Sequence, residues 1–313
     1  MTIKIGIVGV GKIARDQHLP AIAANPDFTL VAAASKSGQP VDGVPTYPDI
    51  ETMMVAHPDV TTVTICTPPQ DRHVIIRDAL NRGLNVMLEK PPGASLSEIA
   101  DLPALAAARN VALFATYHSR YAPAVAPAKA WLADKTVTAV RVRWKENVRQ
   151  WHPGQAWIWQ PGGLGVFDPG INAMSSLTEI LRAPPYITKA DLSFPANRAT
   201  PIAAILDLTD IAGLPITVEL DWRQVENQMW EIAVDTTAGP LLLSGGGAKL
   251  DIGGTTTDDQ DQHAEYAGLY RRFAELVPAW QVDFDLAPIK LIADAFMLGR
   301  RVEVEAFEDQ PAK

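Results

Sequence analysis

The chain has 313 residues, more than one hydrophobic core usually serves and natural for two domains; at 47% hydrophobic and 20% charged it has apolar material for both. Its 27 Lys plus Arg against 36 Asp plus Glu give a net charge of -9, which lacks the basic footprint of phosphate-backbone binding and excludes nucleic acid as a partner. A lone cysteine, Cys66, excludes an internal disulfide and a thiolate metal cluster; with no export signal at Met1–Val8 and no run of about 20 apolar residues, the expectation is a cytoplasmic protein with no membrane partner.

In the first third, short apolar runs at Ile3–Val8, Leu30–Ala34, Val63–Cys66, Val86–Leu88 and Val111–Thr116 lack strict alternation, as strands buried on both faces do. Helix-period stretches separate them, which predicts a parallel sheet wrapped by helices. Gly83 marks a helix end, and Ser95 with Glu98 forms the pattern of a capping box, opening a helix that runs towards Arg109 with a kink at Pro103. Past residue 120 the period changes. Val140, Val142 and Trp144 alternate with Arg141, Arg143 and Lys145, and the alternation recurs at Val218–Trp222 and Trp230–Val234, before a turn at Gly239-Pro240 and a run at Leu241–Leu243. These predict a mainly antiparallel or mixed sheet with one open face, followed by a last helix over Ala287–Gly299. The open face hints at a homodimer, since a large exposed apolar surface calls for a partner.

Gly9-Val10-Gly11-Lys12-Ile13-Ala14 follows the first strand and opens a helix, the context of a dinucleotide-binding turn. Gly9 permits the tight turn, Gly11 lets the backbone approach a pyrophosphate, Ala14 allows close helix packing, and the helix-start amides at Lys12 and Ile13 face the phosphates. The bland alternative is a structural strand-to-helix turn. Gly6 with Gly11-Lys12 also has triphosphate-loop spacing, but Ile13 offers magnesium no hydroxyl and Gly6 falls inside the strand, so that reading is rejected. The second strand ends in Ala34-Ser35-Lys36 with no acid for a ribose; Ser35 and Lys36 suit a 2′-phosphate, favouring NADP while leaving NAD acceptable, unless Lys36 is only a solvated charge. The chain therefore reads as an α/β Rossmann domain at residues 1–119 binding the dinucleotide. An α+β domain with a predominantly antiparallel mixed sheet follows at 120–313, for substrate binding and oligomerisation.

Thr67-Pro68-Pro69 with His73 beyond, together with Glu89-Lys90-Pro91, resembles the Gfo/Idh/MocA oxidoreductase family over essentially the whole chain. The resemblance implies that Thr67, Pro68, His73 and Glu89 border the cofactor and that Lys90 sits between nicotinamide and substrate; on its own, Lys90 reads as an exposed strand-end charge. Gly11–Pro20, Trp151–Gln155 and Gly165–Asn172 are similar to the family's bacterial members that oxidise L-arabinose or D-galactose at the anomeric carbon to a lactone. That reaction needs a hydride acceptor and a base but no metal. Asp168 and Asn172, four apart at a predicted helix start, lie on one face, where the helix terminus keeps the carboxylate ionised; helix capping is the alternative role for Asp168. Most of the family has His at the second position. Asn172 departs from that, which gives the proton to Asp168 and leaves Asn172 to orient the hydroxyl or relay a proton.

The resemblance further implies that His118, Glu146, His152 and Trp230 line an aldose pocket, although any single Trp is more often core. Residues 151–165, rich in Gly, Pro and Trp, read as a loop and mobile cover over the sugar. His18, His57 and His263 read as structural or surface residues. The rival functions are an inositol or dihydrodiol dehydrogenase of the same family and a catalytically silent NADP-binding regulator.

Overall fold

A computed structural model describes residues 2–259, 261 and 263–309. The chain divides into two compact units. One holds the described residues through His118 together with His263–Asp285; the other begins at Ser119 and resumes at Leu286. The sequence leads one to expect a second domain running unbroken over 120–313; instead the segment 263–285 returns to the first unit, carrying the helix Ala264–Ala279 and the short strand Val282–Asp283.

Among the described residues, the first unit's sheet is seven-stranded and all parallel. Its order is Val282–Asp283, Leu113–Thr116, Asn85–Glu89, Thr62–Ile65, Ile3–Val8, Phe28–Ala34, Thr46–Tyr47. Ile5, Ile7, Val63, Ile65, Val86 and Leu88 are fully buried, which is why these runs show no polar alternation. Strand order reverses beside Ile3–Val8, the place where such sheets open a crevice at the strands' carboxyl ends. Two strands, Thr46–Tyr47 and Val282–Asp283, are too short to leave an apolar run. Pro103 breaks the expected helix instead of kinking it: the Ser95/Glu98 box opens Leu96–Ile99, and a second helix, Leu102–Arg109, starts afresh with the proline in its first turn.

The second unit's sheet has nine strands among the described residues. Their order is Thr255–Asp258, Lys249–Ile252, Gly239–Ser244, Met229–Thr236, Val137–Lys145, Ile216–Asp221, Ala203–Thr209, Tyr186–Pro195, Arg300–Val304. Val137–Lys145 with Ile216–Asp221, and Tyr186–Pro195 with Arg300–Val304, pair in parallel; the rest are antiparallel. The helix Phe167–Ile180 lies tight on this sheet, where a Cβ on Gly170 would stand 2.6 Å from Leu220 Cδ1. The other face mixes charge with the exposed Ile205, which stands across from Glu219. Cross-strand pairs Arg141–Asp235 (2.6 Å), Arg143–Glu231 (2.7 Å) and Lys145–Glu219 (2.5 Å) lie on its central strands, so this face is not the wholly apolar surface from which a homodimer was expected. Among the described residues no helix is long and apolar enough to cross a membrane, and no group of three or more His, Cys, Asp or Glu could hold a metal ion.

Candidate active site

In the first unit the chain leaves Ile3–Val8 through Gly9 at φ +91°, and a Cβ there would lie 2.7 Å from the Thr67 nitrogen and 2.9 Å from the Cys66 carbonyl carbon. A Cβ on Gly11 would meet nothing within 4 Å, so the protein leaves the space before the second glycine open. Ala14 packs into a cluster with Ile7, Val10, Ala33, Val41 and Cys66, and Ile13 packs against it. Lys12 and Ile13 therefore offer a ligand their helix-start amides, while the Lys12 ammonium pairs with Asp16. Thr67 Oγ1 is buried with no hydrogen-bond partner. An orphaned hydroxyl beside an open glycine turn fits a dinucleotide.

Ser35 has a structural task of its own. It is buried, its Oγ accepts from the Gln39 N–H at 3.2 Å and lies 3.2 Å from the Ser37 hydroxyl, so it builds the turn and leaves Lys36 as the exposed group. Arg15 reaches the same loop, donating to the Pro40 carbonyl at 2.9 Å. His73 is held on its own helix, its Nε2 accepting from Arg77 Nε at 2.7 Å.

The Thr67-Pro68-Pro69 and Glu89-Lys90-Pro91 turns are joined by Arg72, which no sequence pattern singles out. Its buried guanidinium donates to the Thr67 carbonyl at 2.6 Å and to the carbonyls of Glu89 and Pro91. Lys90 is half-buried at the strand end rather than fully exposed. The Glu89 side chain turns into the core, away from the role at the cofactor that the resemblance implies. Its Oε1 accepts from Tyr266 Oη at 2.8 Å and lies 3.1 Å from His18 Nε2; His18 Nδ1 lies 2.8 Å from Tyr270 Oη. Burial would raise the Glu89 carboxyl, but the hydrogen bond and charge of His18, with the charges of His118 and Lys90, bring it down to about 2. Burial opposes a charge on His18, yet Cys66, Tyr270 and Glu89 hold it well above the ordinary imidazole value. His18 is thus half of a buried ion pair. His118 also belongs to the first unit, hydrogen-bonded to Glu265 and stacked on Tyr266 at 5.4 Å.

The second unit brings Glu146, His152, Asp168 and Trp230 together. Asp168 lies in the first turn of Phe167–Ile180, but Val166 occupies the cap position and no side chain caps the helix, which removes the capping role. That end is pinned at Gly165, whose φ is +55° and whose Cβ would collide with the Pro201 carbonyl at 2.3 Å. His152 stands between two carboxylates, Nδ1 3.7 Å from Asp168 Oδ2 and Nε2 3.5 Å from Glu146 Oε1. Glu146 is buried and accepts from Trp222 Nε1 at 3.2 Å and Trp230 Nε1 at 2.8 Å. Asn172, one turn beyond Asp168, has a buried Oδ1 with no hydrogen-bond partner. Spacings of 3.5 and 3.7 Å exceed a direct hydrogen bond, so the imidazole is closed against neither carboxylate.

Residues 151–165 are not irregular throughout. A helical turn at Ala156–Trp159 sits within them, Ile158 and Trp159 are buried, and the Thr200 hydroxyl donates to the Ile158 carbonyl at 2.9 Å. Trp151, by contrast, is 44% exposed and meets Trp230 edge-on at 5.8 Å. Trp222, fully buried, is core.

Residues 3–117 match an oxidoreductase family with an NAD-binding Rossmann fold. The chain is 44% identical over 308 residues to galactose 1-dehydrogenase from Pseudomonas fluorescens, covering 98% of this chain and 99% of that one. It superposes on the crystal structure of D-galactose-1-dehydrogenase from Rhizobium etli with a TM-score of 0.93 and 55% identity, over 98% of both chains. A 3-ketoreductase from Actinomadura kijaniata, crystallised with NADP and TDP-benzene, shares the fold at a TM-score of 0.83 and 18% identity, over 97% of this chain and 100% of its own. With its glycine turn, its parallel and mixed sheets and this full-length kinship, the chain belongs to the Gfo/Idh/MocA oxidoreductase family.

Proposed function

We propose that the protein is an NADP-preferring aldose 1-dehydrogenase that oxidises the anomeric hydroxyl of D-galactose, L-arabinose or a similarly configured sugar to the aldonolactone. The observation that carries this is the grouping of Glu146, His152, Trp230 and Asp168, in a chain with full-length kinship to galactose 1-dehydrogenases. Two carboxylates and an imidazole offer the mixed acceptors and donors that a polyol requires, and the indole N–H groups of Trp222 and Trp230 hold Glu146 in place among them.

Gly9, Gly11, Thr67, Pro68 and the amides of Lys12 and Ile13 would hold the dinucleotide. When bound, its nicotinamide supplies the hydride acceptor. Lys36, with no acid at the end of its strand, supports a preference for NADP. Asp168, in the first turn of its helix, takes the proton of the C1 hydroxyl as the C1–H electron pair departs to the nicotinamide and the carbonyl forms. Asn172 orients that hydroxyl through its unpartnered amide oxygen. Lys90 donates to the C1 oxygen or a neighbouring hydroxyl. The lone buried Cys66 supports a reducing, cytoplasmic setting.

Initial rates with aldoses and inositols, each with NAD and NADP, test this. D-Galactose or L-arabinose should give the highest kcat/KM with NADP, and hydroxylamine should trap the lactone. Turnover confined to inositols or dihydrodiols would move the protein to another branch of the family; cofactor binding without turnover would make it a silent binder.

A further inference from the structure

After the edge strand Arg300–Val304 the chain leaves the sheet and is gripped by three segments of the second unit. Asn197 and Phe307 exchange hydrogen bonds, Phe307 N–H to Asn197 Oδ1 at 2.9 Å and Asn197 Nδ2 to the Phe307 carbonyl at 3.1 Å. Arg198 donates to the same carbonyl at 2.9 Å and to Asp309 at 3.2 Å. Arg149 lies 4.5 Å over the Phe307 ring and donates to the Glu308 carbonyl at 2.7 Å. Asp309 accepts from Trp159 Nε1 at 3.1 Å.

This grip leads to the site. The Phe307 ring, 8% exposed, is 5.5 Å from Trp159; Trp159 is 5.2 Å from Trp222; Trp222 is 5.1 Å from His152 and donates to Glu146. Four rings in series thus run from the chain's last described residues to the imidazole between the two carboxylates. A densely packed interior transmits a displacement, because each ring fills the space that its neighbour would move into.

We propose that Phe307 and Asp309 form a C-terminal clasp that positions Glu146 and His152 for the sugar by way of Trp159 and Trp222. They are positioning residues, and the proposal rests on Glu146 and His152 contacting substrate as argued above. The clasp also ties down the Ala156–Trp159 turn of the expected mobile cover.

The test compares wild type with Phe307→Ala, Phe307→Leu and Asp309→Ala in sugar kinetics, NADP affinity, melting temperature and the near-ultraviolet circular dichroism of the tryptophans. Phe307→Ala should raise the sugar KM about ten-fold and change the tryptophan bands, with NADP affinity within about two-fold of wild type. Phe307→Leu, which refills most of the volume, should recover most of the KM. A purely stabilising role would lower the melting temperature and leave KM and the bands in place, which would overturn the clasp. If Phe307→Ala does not fold, Asp309→Ala decides: a KM raised about three-fold supports the clasp and an unchanged KM overturns it. If the wild type oxidises no aldose, the proposed function fails, and unchanged tryptophan bands in a folded Phe307 or Asp309 variant separately overturn the clasp.

Discussion

Each unit buries a histidine against carboxylate, and the two pairings differ in how completely they are closed. In the first, His18 and Glu89 are 0% and 2% exposed, lie 3.1 Å apart and are bonded to two tyrosines. In the second, the His152 side chain keeps 15% exposure and stands 3.5 and 3.7 Å from its carboxylates. A closed pair spends the imidazole's hydrogen bonds on the fold; the looser grouping leaves the His152 imidazole without a direct bond to either carboxylate. Burial of charge alone therefore does not mark the reacting group. Glu89, the carboxyl with the large shift, is the structural one.

The sharpest test of this contrast is Asp168→Ala, which should lower kcat by about 10² to 10⁴-fold while leaving NADP affinity in place, the cost of losing a positioned base. Unchanged turnover would dismiss Asp168 as the proton acceptor. On the closed side, His18→Gln removes the charge partner of the buried Glu89 while keeping an amide donor, and should cost about 1 to 3 kcal/mol in urea unfolding, with loss of activity following only from loss of fold. Stability equal to wild type would break the comparison.

The closed pair also predicts a pH signature. Glu89 is depressed in the folded state, so its contribution is present above the ordinary value of 4.5 and lost as pH falls from there towards about 2. His18 is raised, so its contribution is full below the ordinary 6.5 and lost as pH climbs through the higher folded value. Unfolding free energy should show the pair's full contribution between pH 4.5 and 6.5 and decline on both sides. The His18→Gln variant should lack the alkaline decline. On the open side, Trp230→Phe keeps an aromatic ring and removes the indole donor to Glu146, and kcat/KM for the sugar should fall about 10- to 150-fold, the equivalent of about 1.5 to 3 kcal/mol; an unchanged value would detach Glu146 from substrate binding.

What could be read from sequence divides along the same line. The glycine turn was legible because strand, turn and helix are contiguous, and Asp168 with Asn172 because a four-residue spacing fixes a shared helix face. The closed pair was not legible: Glu89 meets His18 across 71 residues and Tyr266 across 177, so nothing local distinguishes His18 from a surface imidazole. The returning segment 263–285 was hidden for a related reason. Its helix has the apolar stripe of any packed helix, and the two-residue strand beyond it is too short to show alternation. Arg72 likewise owes its role to three backbone carbonyls, which carry no sequence signal.

The smallest predicted effect lies outside both pairings, at the exposed Lys36. An ammonium facing a 2′-phosphate across solvent gains little, because water and salt screen the attraction. Lys36→Ala should therefore weaken NADP by about 1 kcal/mol or roughly five-fold, leave NAD affinity unchanged, and flatten the salt dependence of NADP binding. Ser35→Ala should act differently. Its hydroxyl holds the Gln39 amide, so losing it loosens the loop that presents Lys36 and weakens NADP without altering the salt slope. Equal salt slopes for wild type and Lys36→Ala would assign the charge at this end of the site to Arg15, which reaches the same loop at Pro40.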